Sequence, residues 1–377
     1  MLKRLLILKL LIFSAWTLTS AQSPDNTLFY QDSQIHEADS NKLYFKLDNL
    51  NFFKNNEYFN KFVEGFTYIG YWVRPTFTYQ PTGKVRIEAG AHMLQYSGVK
   101  GPTQFEPFYR VQYKMLPGID LVMGNLYSTL NHNMIEPMYG FDRYINANSE
   151  HGIQFLFNNK RFTGDLWLNW EKFIFVNDPE KEQFSQGFTS RFLLTEPDKP
   201  LKIAVPIQYL FAHKGGQVTQ DTMPLFTRMN LTGGLSAEYD INHRFIKSVS
   251  ASAFFLYYRD NTFSRHIIPL IEGHGSYANI YLKTSCINFT VGYWNGFRFF
   301  NPRGEESFSN LSFTDPTYYE TRRELILAKA FIHHSISKGI RLAAAFESYY
   351  DHKNEKYDYY YALYVLCNLK YLVRDAK

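Results

Sequence analysis

VRIEAGAHMLQ, running from Val85 to Gln95, splits into two alternate sets. Val85, Ile87, Ala89, Ala91 and Met93 make an oily row; Arg86, Glu88, Gly90, His92 and Leu94 make a largely ionic one. Neighbouring side chains of a strand point to opposite faces, so this period of two predicts a strand with one apolar and one polar side. The next run, FEPFYRVQYKML from Phe105 to Leu116, sets Tyr109, Val111, Tyr113 and Met115 against Glu106, Phe108, Arg110, Gln112 and Lys114. Phe162 to Phe173 opposes Leu166, Leu168 and Trp170 to Asp165, Asn169 and Glu171, and Met229 to Tyr239 opposes Leu231, Leu235 and Ala237 to Asn230, Thr232, Ser236 and Glu238. Helix-period stretches are scarce.

Soluble sandwiches alternate too, so the connections decide the class. About sixteen candidate strands lie between Lys42 and Leu369, an even number as in bacterial barrels. Short links such as Pro81 to Lys84, Met115 to Gly118, Asn158 to Arg161 and Ser337 to Gly339 alternate with longer ones. The long links are Asn51 to Gly65, Tyr96 to Gln104, Ser128 to Glu150, Val176 to Glu182, Gly215 to Arg228, Asp260 to His274, Gly296 to Arg323 and Asp351 to Lys356. In an up-and-down barrel every second link returns to the same rim, so tight turns on one side and ampler loops on the other produce this order. A bilayer offers no water to unpaired backbone groups, so such a sheet must close on itself. The predicted fold is an all-β transmembrane, up-and-down antiparallel barrel with short periplasmic turns and longer extracellular loops.

The composition agrees. Of 377 residues 18% are Phe, Trp or Tyr and 20% are charged, which excludes both a disordered chain and a helical membrane protein. Aromatics crowd the strand ends, as at Phe254, Phe255, Tyr257 and Tyr258, where their amphipathic rings suit the headgroup level. Met1 to Ala21 reads as a cleaved secretory signal, with Lys3 and Arg4 ahead of an apolar stretch and Thr19-Ser20-Ala21 at the cleavage positions. The formal charge of +5 then drops to about +2, with Lys3, Arg4 and Lys9 gone, and leaves no basic field for nucleic acid. Residues 22–41 are assigned to an N-terminal periplasmic segment, 42–373 to the barrel and 374–377 to a C-terminal tail. Gly273-His274-Gly275-Ser276 reads as a turn. Cys286, in a tight turn, and Cys367, in a strand, are not expected to pair.

On this pattern the chain resembles the porin-like outer-membrane barrels of Gram-negative bacteria, in the aromatic, Asn-rich style of uncharacterised barrels of the Bacteroides group. The C-terminus departs from them: such barrels commonly finish on an aromatic residue, whereas this chain ends VRDAK. The resemblance implies residence in the outer membrane in contact with its lipid, passive diffusion of small hydrophilic solutes, a possible homo-oligomer and no cofactor. It also implies that the third long link, Ser128 to Glu150, folds inward as a constriction carrying Asn131, His132, Asn133, Glu136, Asp142 and Arg143.

A barrel of this size can hold an aqueous channel. Alternation places Arg74, Arg86, Arg110, Lys114, Lys202, Lys283, Lys329 and Arg341 on its wall, with Glu88, Asp165, Glu171, Glu238 and Glu347. Such mixed charges suit hydrophilic solutes, or pair across strands and hold the barrel; a wall change such as Arg110→Ala is expected to alter selectivity. There is no His-Glu-x-x-His, Gly-x-Ser-x-Gly or Cys-x-x-Cys, and no enzymatic activity or metal site is expected. Two alternatives stand beside the channel. One is a surface-binding or export barrel that presents Phe300 to Tyr319 and Asp260 to His274 to a glycan or partner. The other is a lipid hydrolase in which Asn131 and His132 join a serine such as Ser128.

Overall fold

A computed structural model describes residues 24–375, apart from 217, 242 and 264; the signal reading of Met1 to Ala21 lies outside the described residues. Period-two alternation becomes sixteen strands: β1 Lys42–Glu57, β2 Thr67–Thr82, β3 Val85–Tyr96, β4 Gln104–Leu116, β5 Ile119–Asn125, β6 His151–Asn158, β7 Phe162–Lys172 and β8 Glu182–Leu193. The second half continues with β9 Leu201–Gly215, β10 Phe226–Asp240, β11 Ile246–Asp260, β12 Glu272–Thr284, β13 Ile287–Phe297, β14 Arg322–Ser337, β15 Ile340–Asp351 and β16 Lys356–Asp375. Each pairs antiparallel with its sequence neighbours, and β1 pairs β16 from Lys42↔Asp375 to Glu57↔Tyr359, closing the barrel. No edge is left unpaired, as hydrocarbon requires.

Short and long links fall on opposite rims. Two of the tight turns rest on glycines with left-handed backbone, Gly118 (φ 78°) and Gly339 (φ 82°), a conformation that costs a Cβ-bearing residue. Tyr109, Tyr113 and Met115 face outward on β4, while Phe108, Arg110 and Gln112 face in. The Gly273 to Ser276 segment is not a turn but the start of β12. Its glycines lie under bulky neighbours: a Cβ on Gly275 would sit 2.3 Å from the Trp294 ring, and one on Gly273 2.0 Å from the Arg298 carbonyl oxygen. They mark close approach within a strand.

The interior is filled from the long-loop rim to mid-height, while inward positions nearer the short turns, such as Ser335 and Lys370, stay exposed. Residues 126–150 and 298–321 fold in from the long-loop rim, and residues 28–35, assigned to a periplasmic segment above, run inside the barrel. Leu28 and Phe29 pack with Phe141, Tyr144, Phe331 and Tyr364. Met134, Ile135 and Met138 meet Trp167, Leu210, Tyr258 and Trp294 of the wall, together with Phe299 and Phe308. Gln112, Gln154, Gln208, Asn230 and Leu327, from strands all round the barrel, are 0% exposed, so protein rather than water covers the wall there. The two inserted loops are joined backbone to backbone: Gly140 N donates to Arg303 O at 2.9 Å and Glu305 N to Glu136 O at 2.8 Å.

Candidate functional site

The charged positions named from alternation all fall on the inner face of their strands, and most are paired. Glu88 accepts from Lys46 Nζ (2.9 Å) and Arg110 Nη1 (3.0 Å). Lys329 bridges Glu136 (2.5 Å) and Glu347 (2.6 Å), Glu171 holds Arg303 at 2.6 Å, and Lys202 meets Asp240 at 2.6 Å. Other wall cations grip the inserted chain: Arg86 donates to Gln34 O (2.9 Å), Lys114 to Ile35 O (3.3 Å) and Arg74 to Asn148 O (3.2 Å). Glu238, Lys283 and Arg341 lie toward the short-turn rim, Glu238 opposite Lys202 in register and Arg341 bonded to Asn368. Cys286 and Cys367 are free thiols.

Within 126–150, Asn131 exchanges two hydrogen bonds with the Gln31 backbone, accepting from its N–H at 3.1 Å and donating to its carbonyl at 2.9 Å. Asn133, in the left-handed region at φ 55°, accepts from Tyr30 Oη at 2.7 Å. Between them His132 lies fully buried, stacked on Trp167 with ring centroids 3.7 Å apart. Its Nδ1 is 2.8 Å from Asp165 and its Nε2 2.7 Å from Glu150. Burial disfavours the imidazolium, but the two carboxylates outweigh it and hold the pKa up at about 9. Charged His132 therefore locks the inserted loop to the wall. It has no nitrogen left for a hydroxyl: Ser128 Oγ donates instead to Asn148 O at 2.7 Å, so the Ser128–Asn131–His132 arrangement is not assembled. Of the aromatic residues in the Phe300 to Tyr319 loop, Phe300 and Phe308 are buried in the lumen while Tyr319 is exposed.

A second group of residues forms a cavity of about 220 Å³ at the long-loop mouth, between residues 58–66, 140–146 and 302–313. Asp142 and Arg143 reach it from the inserted loop, Arg303, Glu305 and Glu306 from the other, and Asn56 and Phe66 from the rim of β1 and β2. Lys54 Nζ binds Asp142 and lies 4.0 Å above the Tyr360 ring. Burial and the neighbouring Asp142 charge push Glu305 up to about 8, so its carboxyl carries a proton at neutral pH. Arg143 stands 3.9 Å from both Glu150 and Glu171, with its guanidinium 4.8 Å over Tyr139. Asp142, Glu305 and a guanidinium held by Tyr139, Glu150 and Glu171 thus border one polar space. The sequence reading found Asp142 and Arg143 but not Lys54, Asn56 or Glu305. Lys54 and Asn56 carried the inward signal, two positions apart on β1, while nothing local to Glu305 brings it to Asp142.

The fold is shared with outer-membrane porins. The OprD outer-membrane protein of Pseudomonas aeruginosa is similar with a TM-score of 0.50 and 9% identity, covering 91% of this chain and 97% of its own. A BenF-like porin from Pseudomonas fluorescens Pf-5 gives 0.49 and 8% over 88% and 100% of the two chains, and a loop-L8 deletion mutant of Vibrio cholerae OmpT gives 0.48 and 9% over 86% and 99%. At such identities the likeness is one of architecture. No curated protein matches the sequence. The expectation of a protein without enzymatic activity is overturned by the family it matches, which is named for an ester-cleaving enzyme. Residues 35–376 match the family described as lipid A 3'-O-deacylase-type, and the chain belongs to that family.

Proposed function

We propose that this protein is an outer-membrane hydrolase that removes an ester-linked acyl chain from the lipid A type of glycolipid, working at the long-loop rim of a plugged barrel. The observation that carries the reading, beside the family, is the covered wall: with Gln112, Gln154, Gln208 and Asn230 at 0% exposure, the lumen offers its charges to inserted protein rather than to a passing solute. A substrate then meets the molecule at the outer mouth. Mass spectrometry of lipid A from cells with and without the gene tests this. Loss of one acyl chain only where the protein is made is expected, and unchanged lipid A in both overturns it.

Passive diffusion of small hydrophilic solutes is the second reading. It is favoured by the porin architecture and by Arg74, Arg86 and Arg110 on consecutive strands of one wall, and it requires residues 126–150 or 28–35 to move aside. Stable open steps of the purified protein in planar bilayers, with lipid A unchanged, would favour it.

A further inference from the structure

We propose that two copies of this chain pair side by side in the membrane through the outer face formed by β16, β1 and β2, with the Asn49 and Asn51 amides of each copy bonded to those of the other. The pairing stands apart from both readings of the lumen. On β1 Leu50, Phe52 and Lys54 point inward and are buried, so Asn49, Asn51 and Phe53 point outward. Their register partners agree: Asn51 lies opposite Tyr71 of β2, 37% exposed, and Phe53 opposite Leu363 of β16, 59% exposed. Height follows from the rings on the same row. Phe45 packs on Phe77 with ring centroids 5.5 Å apart on the short-turn side, and Phe53 on Tyr361 at 5.9 Å on the long-loop side. Such rings mark the two interfaces of a bilayer. Asn49 is four residues from each, about 13 Å along the strand, and so lies in the middle of the apolar band.

Amides are out of place at that depth. The neighbouring rows carry Val73 and Pro75 on β2 and Val365, Cys367 and Leu369 on β16, and acyl chains offer no hydrogen-bonding groups. Within the chain the two asparagines satisfy each other in part: Asn51 Nδ2 donates to Asn49 Oδ1 at 2.7 Å, and Asn49 Nδ2 to the Trp72 carbonyl at 2.7 Å. The Asn51 carbonyl oxygen and one N–H of each amide meet no group among the described residues, and Asn51 is exposed. A polar group left without a partner in hydrocarbon is costly, so this is a face that favours being covered.

Depth and the chemistry of the amide together fix the occupant. Lipid headgroups stay at the level of the rings, so the missing donors and acceptors must come from another membrane-spanning protein with polar groups at the same height. A second copy meets this without adjustment: it inserts in the same direction, and a two-fold axis along the membrane normal keeps its asparagines level with these. An amide is both donor and acceptor, so the patch complements itself, as an isologous contact requires. Phe53, Tyr71 and Tyr361 above and Phe45, Phe77 and Tyr371 below border the amides and supply the apolar surface of the contact. Gln186 on β8 is another outward, exposed amide, but it lies seven strands on from β1, almost across the barrel. Joining it to the asparagine patch of a neighbour would build an open row of barrels rather than a closed pair.

The test uses the two cysteines of the chain, Cys286 and Cys367. Cys367 is the register partner of Asn49, whereas Cys286 lies at the short-turn rim between β12 and β13. Full-length Cys286→Ser protein in isolated outer membranes is treated with a short, membrane-permeant bismaleimide. A band of twice the chain mass is expected, and it should vanish when Cys367→Ser is added. In the Cys286→Ser background Asn49→Leu/Asn51→Leu is expected to weaken that band about fivefold or more with heat-dependent gel mobility unchanged, and Gln186→Leu to leave it as it was. Should the double change not fold because the Trp72 carbonyl is released, Asn51→Leu alone, which keeps that bond, must weaken the band. Absence of a two-copy band, a band of three copies, a crosslink to a protein of another mass, or a pair undiminished in folded Asn51→Leu protein overturns the pairing. The hydrolase and channel readings stand whichever result is obtained.

Discussion

His132 shows how one side chain can decide the state of the whole lumen. Replaced by leucine it would leave Glu150 and Asp165 buried together without a cation, and breaking a buried pair in this way costs about 3–5 kcal/mol. His132→Leu is therefore expected to lower the heat-modification midpoint in detergent. Because its folded pKa, about 9, lies above the ~6.5 of an unfolded histidine, its contribution is full below about pH 6.5 and is lost as pH rises through about 9. The wild-type midpoint should fall across that window, and the variant should lack this component of the fall. Arg323 is a second such residue, 1% exposed. It meets Asp351 Oδ2 at 3.2 Å through Nε and Nη2, donates to Ser307 O at 3.0 Å and lies 3.6 Å over Phe62. Arg323→Met should cost a similar ~3–5 kcal/mol and speed amide exchange in residues 58–66. Arg110→Ala is now expected to destabilise the barrel rather than only alter selectivity, since Arg110 also donates to Asn125 O (2.7 Å) and Leu126 O (2.6 Å).

The strands and inserted loops answer to different rules. On β4, Val111 lies on the outward row between Tyr109 and Tyr113, and Val111→Arg should cost about 2–4 kcal/mol near the bilayer midplane, read as a lower yield of folded barrel. The loops are held by close backbone approach. A Cβ on Gly304 would sit 2.3 Å from Pro137 O, so Gly304→Val is expected to part residues 298–321 from 126–150 while leaving the strands paired. Faster tryptic cleavage near Arg303 on intact cells would report it; an unchanged digest would show that the loops hold by side chains alone. These approaches were not legible in advance, because a glycine in a loop reads the same whether its neighbour is solvent or another chain segment.

The closed molecule behaves as a plugged cylinder, and that has an electrical consequence. Purified wild-type protein in a planar bilayer should show no stable large steps, whereas deletion of residues 28–35, which removes Phe29 and the backbone acceptors of Arg86, Gln112 and Lys114, should give open or flickering ones. Stable wild-type openings would return the diffusion reading to first place. Sequence alone determined the strand number, the alternation of links and the inward or outward sense of Arg86, Glu88, Val111 and Leu231, because a period of two and the length of a link are local properties. A signal that the lumen is packed was also present: Phe254, Phe255, Leu256, Tyr257 and Tyr258 are apolar on both faces, as strands buried on both sides are. What only the tertiary structure decided is what fills the barrel and which groups meet there. The meeting of Glu305 and Asp142 around one cavity, and the pairing of His132 with Glu150 and Asp165, bring together residues whose positions depend on where loops fold once the wall has closed, and no local pattern encodes that.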